Sequence, residues 1–301
     1  MTHLSIVIVH YNTRPETLRC LASVYAAGFE NGKKQVIVVD NGSQEVFACP
    51  QYPDVVVLRS DANLGFTGGN NLGIHFAIET FNSDFVFLLN SDATIAQNCF
   101  DKLFAYSEAH PKAGIICPLI YFTEGQEFYK KSYQKKERGR VIWYGGGSLD
   151  TGNLDGFHRF VDEVDSGQVA HEPISEFATG CAAFIKREVL EKVGLLDKRY
   201  FLYLEDVDYS VRTRQFGYEI HCCATAHAWH DNGGSSGVGS RTQQYYMTRN
   251  RLLFFWHAFT NLTDRIKLFR LVLHVLIFGS KYERMGILHA CTGQWGKQII
   301  I

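Results

Sequence analysis

The run LSIVIVHYN, residues 4–12, decides the fold. It is an almost unbroken apolar stretch that ends in polar side chains, as expected of a strand buried on both faces of a parallel sheet. Outward from it the pattern repeats in QVIVVDNGS (35–43), DVVVLRS (54–60) and DFVFLLNSDA (84–93). Helical spacing fills the gaps. Pro15 stands where a first turn begins, Leu18, Leu21, Ala22 and Tyr25 follow on one face, and Gly28 closes the segment. NNLGIHFAIETF (70–81) and Asn98 to His110 read as two more helices, the second stopped by Pro111. This β-α-β rhythm predicts an α/β fold with a mainly parallel sheet flanked by helices. In such sheets ligands sit beyond the carboxyl ends of the strands. Chemistry is therefore expected at the tips Tyr11-Asn12, Asp40-Asn41 and Asn90-Ser91-Asp92.

Further along, Glu124 to Arg140 is polar and carries Lys130, Lys131, Lys135, Lys136, Arg138 and Arg140, which reads as a solvated loop. Order returns with a strand at Ala182 to Ile185 and helices at Arg187 to Val193 and Asp206 to Phe216. From about residue 245 the chain is rich in Arg, aromatic and aliphatic residues at helical spacing. The expected organisation is one domain over 1–244, in halves of about 1–115 and 116–244, with a helical C-terminal appendage over 245–301.

A chain of 301 residues with 46% hydrophobic and 20% charged content can bury a sizeable core. Its net charge of −1 offers no overall basic field, so no nucleic-acid partner is expected. The eight cysteines show no C-x-x-C pairing, which suits free thiols in a reducing compartment. Leu4 to Val9 is too short for a signal peptide, and no stretch reaches the roughly 20 apolar residues of a spanning helix. A cytoplasmic protein is expected, at most peripheral to a membrane. Leu268 to Phe278, with Lys267, Arg270 and Lys281, is compatible with peripheral membrane contact, with a packing helix and with a homodimer contact.

Several residues carry candidate chemistry. Asp92 is a carboxylate at a strand tip, suited to a hard cation such as Mg2+ or Mn2+ that shares its oxygen ligands with substrate phosphates. It suits a helix cap equally well. NLGFTGGNN (63–71) is a glycine-dense segment leading into a helix, where backbone can approach a ligand and an anion is favoured. It matches neither G-x-G-x-x-G nor a P-loop, and a tight loop needs the same glycines. Asp40, before Asn41-Gly42, suits a base N–H or ribose hydroxyl, or a local turn. FLYLEDVDYSVR (201–212) places Glu205, Asp206 and Asp208 in a first helical turn, where the dipole favours acids. One of them is also placed to act as a general base whose neighbours raise its pKa. AHAWHDNGGSSG (226–237) sets His227 and His230 before a glycine–serine loop that could order over substrate.

Taken in order, IVIVHYN, VVDNGS, NLGFTGGNN, LLNSDA, ATGCAAFIKR, FLYLEDVDYSVR and WHDNGGSS resemble family 2 glycosyltransferases of the GT-A fold, especially the rhamnosyltransferase-like branch. The resemblance runs from about Leu4 to Phe255, and TRNR (248–251) is similar to a segment common in that branch. It implies that Asp92 is the metal-binding end of a D-x-D-type triplet, whose first position here is Asn90 rather than Asp. It implies that His230 contacts the same metal. Asp40 would be the nucleobase-side acid, with Tyr11 and Asn12 in its pocket. Gly65, Phe66, Gly68, Gly69 and Asn70 would run along the nucleotide-sugar. Asp206 would be the catalytic base, with Glu205 beside it.

The implied reaction is an inverting displacement on a nucleoside-diphosphate sugar, with dTDP-rhamnose favoured and a UDP-sugar second. The implied acceptor is a glycan or lipid-linked sugar. A nucleotidyltransferase and a non-catalytic sugar-nucleotide-binding protein are the rival readings.

Overall fold

The computed structural model describes residues 1–231, 239–258 and 260–300. The first half alternates as expected: β1 (Thr2–His10), α1 (Arg14–Ala26), β2 (Gly32–Asp40), β3 (Val56–Arg59), α2 (Gly65–Phe81) and β4 (Phe85–Asn90). A short β5 (Ala93–Ile95), α3 (Cys99–Ala109) and β6 (Ala113–Phe122) follow. The middle adds β7 (Ile142–Tyr144), β8 (Gly147–Asp150), β9 (Asp155–His158) and β10 (Ile174–Ser175). Then come β11 (Ala182–Lys186), α4 (Arg187–Val193), α5 (Glu205–Gln215) and β12 (Glu219–His230). The tail forms α6 (Arg241–Ala258), α7 (Leu262–Phe278) and α8 (Lys281–Cys291). The expected boundary after residue 244 falls inside α6.

One mixed sheet runs β10-β12-β6-β11-β4-β1-β2-β3. β1 pairs in parallel with β2 on one side and β4 on the other. The chain thus winds outward through β3 and returns across β1, which creates a topological switch point between β1 and β4. β11 inserts antiparallel between β4 and β6. The apolar runs read from sequence are the buried ones: Leu4, Ile6, Val7 and Ile8 of β1 and Val36 to Val39 of β2 have essentially no exposure. Seven of the eight cysteines are buried and all are free. Among the described residues no helix is long and apolar enough to cross a membrane.

One element departs from expectation. The glycine-dense segment is not a loop leading to a helix at residue 70, because α2 already starts at Gly65. Gly69 and Gly73 face β1, where an added Cβ would come within 2.8 Å of Val9 Cγ1 and 2.3 Å of Val7 Cγ1. These glycines let the helix lie close on the central strand, a packing demand that resembles loop composition in sequence.

Candidate active site

A cleft of about 530 Å³ opens at the switch point, over the carboxyl ends of β1 and β4. Nine of the expected residues line it: Tyr11, Gly65, Phe66, Asn70, Asn90, Asp92, Glu205, Asp206 and His230. Asn12, Asp40, Gly68 and Gly69 stand outside the lining. His227 also stands outside it and directs Nε2 to the Ala224 carbonyl at 3.1 Å.

Asp40 is fully buried behind this wall. It accepts hydrogen bonds from the Ser43 and Phe47 amides at 3.1 and 2.9 Å and pairs with Arg59. Burial pushes its carboxyl up, but the Phe47 amide, Ser43 and Arg59 outweigh that and hold it below the usual carboxylate range. Asn12, at φ 57°, uses its carbonyl to accept from the Gln44 amide. Together these contacts stiffen the turn after β2. Its next residue, Asn41, does reach the cleft, where it donates to the Gly65 carbonyl at 3.0 Å and accepts from the Leu64 amide at 2.9 Å. Asn41 thereby fixes the start of α2, a role the Asp-Asn-Gly turn hinted at only by position.

Asp92 follows β4, and the chain turns at once into β5. Because β5 pairs antiparallel with β12, Ala93 sits opposite His230. That register brings His230 Nε2 to 3.3 Å from Asp92 Oδ1. The His230 ring lies against Trp143, with centroids 4.4 Å apart, and its Nδ1 is buried without a hydrogen-bond partner among the described residues. Behind it His158 receives burial without charge compensation, and its pKa is lowered to about 4. At neutral pH that imidazole is uncharged. The glycine–serine segment expected to follow as a loop (232–237) lies outside the described residues.

The start of α5 lines the same cleft. Asp206 accepts from the Gly180 amide through Oδ2 and from its neighbour Val207 through Oδ1, both at 2.8 Å. Burial raises its pKa, partly offset by those bonds. Glu205 is 4% exposed, and its Oε2 has no hydrogen-bond partner among the described residues. Burial and then the nearby Asp206 charge push the Glu205 carboxyl well above its usual range. Asp208 is different: it is committed to Arg212 at 2.8 Å and to the Tyr200 hydroxyl at 3.1 Å. Of the three first-turn acids, only Glu205 and Asp206 face the cleft.

The loop before α5 is held in an uncommon conformation, with positive φ at Phe201, Tyr203 and Leu204. Such residues cost on the order of 1–3 kcal/mol each and persist only where surroundings impose them. Two fully buried residues of α6 impose them here. Asn250 Nδ2 donates to the carbonyls of Tyr200, Leu202 and Tyr203 at 3.0, 2.8 and 2.8 Å. Arg249 Nη2 donates to those of Arg199 and Tyr200 at 3.0 and 2.8 Å. The TRNR segment therefore has a physical role that its sequence alone did not disclose. Gly65 meets the same loop, since a Cβ there would lie 2.2 Å from the Phe201 carbonyl oxygen.

The electrostatics of the cleft are one-sided. Among the described residues its acidic lining is Asp92, Glu205, Asp206 and Asp231, with no Lys or Arg. Arg19 neutralises Asp231 at 2.6 Å. The basic cluster of 130–140 is exposed and contributes nothing to the lining. A divalent cation fits this arrangement. Two ligands at right angles around an ion, each about 2.1 Å from it, stand about 3 Å apart, close to the Asp92–His230 separation. No group of three or more His, Cys, Asp or Glu among the described residues forms a complete cage. Further ligands would come from water or from a bound phosphate.

The family model described as glycosyl transferase family 2 matches residues 5–194. The chain is 27% identical over 284 residues to the low-salt glycan biosynthesis hexosyltransferase Agl10 of Haloferax volcanii, covering 94% of this chain and 84% of that protein. It is 27% identical over 246 residues to the N-acetylglucosaminyl-diphospho-decaprenol L-rhamnosyltransferase of Mycobacterium tuberculosis, covering 78% of each. Among solved structures it resembles GalNAc-T7 with UDP, GalNAc and Mn2+ at a TM-score of 0.62 and 17% identity. That match covers 97% of this chain and 57% of that one, and it bears on the fold alone.

Proposed function

The chain belongs to glycosyl transferase family 2, and from that premise we propose that it moves a sugar, with inversion, from a nucleoside-diphosphate donor to a glycan or lipid-linked acceptor. Residues 1–244 form the catalytic domain in this reading, and 245–301 a helical appendage that reaches back to brace it. Rhamnose is the favoured sugar, carried as dTDP-rhamnose, with a UDP-sugar second. The L-rhamnosyltransferase relative and its decaprenol-linked acceptor support that choice.

The observation that carries the reading is the placement of Asp206 and the Asp92–His230 pair in one cleft, lined among the described residues by no Lys or Arg. A donor diphosphate brings negative charge to a cleft lined by carboxyl groups and, among the described residues, by no Lys or Arg, so binding needs a cation. Asp92 and His230 would hold Mg2+ or Mn2+, which supplies positive charge against the departing diphosphate when bound. The chain's own residues do the rest. The Gly180 amide holds one oxygen of Asp206 and leaves the carboxylate beside the cleft. Asp206 takes the proton of the acceptor hydroxyl as that oxygen bonds to the anomeric carbon. The bond from that carbon to the donor phosphate breaks at the same time, and the nucleoside diphosphate leaves. Burial and the adjacent Asp206 push the Glu205 carboxyl well above its usual range, which favours the pair carrying its negative charge on Asp206. Phe66 and Tyr203 line the same cleft. The lack of Lys and Arg among the described lining residues also disfavours a nucleotidyltransferase, which must hold a triphosphate. Release of nucleoside diphosphate from a panel of donors, with the acceptor present, tests the proposal.

A further inference from the structure

Helix α7 carries an apolar face that the fold leaves open. Leu262, Ile266, Phe269, Leu273, Leu276 and Ile277 are each between 46% and 76% exposed. At 100° per residue they fall within about a 100° arc, so they form one continuous stripe along the helix. The opposite side of α7 is anchored by buried Asp264, Leu268 and Val275. The stripe is thus a fixed surface of a packed helix.

Its borders are basic. Arg265, stacked on Trp256 at 3.8 Å, flanks one side, and exposed Arg270 flanks the other. Exposed Lys281 and Arg284 follow at the start of α8. The acids of α7 and α8 are Asp264 and Glu283, and both are used in helix caps. Asn261 Nδ2 donates to Asp264 at 2.6 Å, and Glu283 accepts from the Ser280 amide at 2.6 Å. Neither helix carries a further acid to pair with a second copy's cations if two stripes met about a two-fold axis. An anionic, planar, apolar surface satisfies both features.

The stripe also has a direction. Its C-terminal end turns through Ser280, whose hydroxyl donates to Gln244 at 2.6 Å. The adjacent Gln243, with Met247, lines the cleft. We propose that α7 lies in the interface of a bilayer containing anionic lipid, with the cleft mouth beside the headgroups. α7 has 17 residues and lies on the surface rather than spanning it. The transfer reading supplies only a purpose for this docking; the docking itself rests on the helix.

Co-sedimentation of the full chain with phosphatidylcholine vesicles, with and without phosphatidylglycerol, tests it. The wild-type chain is expected to partition onto the anionic vesicles and to be displaced by salt. Combining Phe269→Ser, Leu273→Ser and Ile277→Ser should reduce that partition about tenfold or more. The melting temperature should hold, because these side chains are exposed. Three results overturn the proposal: equal partition onto both vesicle types, no partition by the wild type, or a concentration-dependent dimer that the triple substitution dissolves. Nucleoside-diphosphate release to a water-soluble acceptor keeps the two readings apart. A triple variant that still releases nucleoside diphosphate but no longer binds vesicles supports docking. A wild-type chain that binds vesicles and transfers nothing sinks the transfer reading alone.

Discussion

Asp92 Oδ1 lies 3.3 Å from His230 Nε2, a contact made by the single register that sets Ala93 opposite His230. If these two side chains share a divalent ion, Asp92→Ala and His230→Ala should each weaken Mn2+-dependent donor binding by on the order of tenfold or more. Titration calorimetry with and without Mn2+ measures this. Donor affinity that ignores both the ion and the substitutions would remove the metal from the account.

Glu205 should make stability depend on pH. Its folded carboxyl is raised, so the native state binds more protons than the unfolded chain between the ordinary glutamate pKa and the raised one. Stability from this group is therefore full below the ordinary value and declines as pH rises toward the raised value. Glu205→Gln should flatten that slope and leave neutral-pH stability equal or higher. Thermal melts across the range compare the two chains.

Asp206 is raised too, chiefly by burial. Its base form should be lost on acidification at a higher pH than for an ordinary aspartate. The acid limb of the kcat/KM profile should lie correspondingly high, and it is read from initial rates across pH.

The loop before α5 depends on Asn250. Asn250→Ala removes three donated bonds and should cost about 2–4 kcal/mol. With the loop relaxed, kcat should fall more than donor KM rises. Gly65→Ala should resemble it, because the added methyl overlaps the Phe201 carbonyl. Denaturant melts with parallel kinetics separate lost stability from lost positioning.

What was legible in sequence follows from range. The strand tips at Tyr11, Asn90 and Asp92 were readable because strand burial and strand ends are local patterns, and the cleft lies where those tips meet. The acids of α5 were readable from their place in a first turn, but not that Asp208 is spent on Arg212. The β5–β12 pairing, the Trp143–His158 backing of His230 and the grip of Arg249 and Asn250 on residues 199–203 were not readable. Each joins segments far apart in the chain, and no local pattern encodes a register. Gly69 reads as a loop glycine for a related reason, since its packing partner, Val9 of β1, is distant in sequence.

The most direct test of the central claim is nucleoside-diphosphate release from dTDP-rhamnose and UDP-hexoses, with Mn2+ and a lipid-linked acceptor, for the wild-type chain and Asp206→Asn. Release with one donor and a glycoside of inverted anomeric configuration are expected. Asp206→Asn should lose about 10²–10⁴-fold in rate with donor binding retained. Turnover in Asp206→Asn equal to wild type, or a product of retained configuration, would contradict that claim.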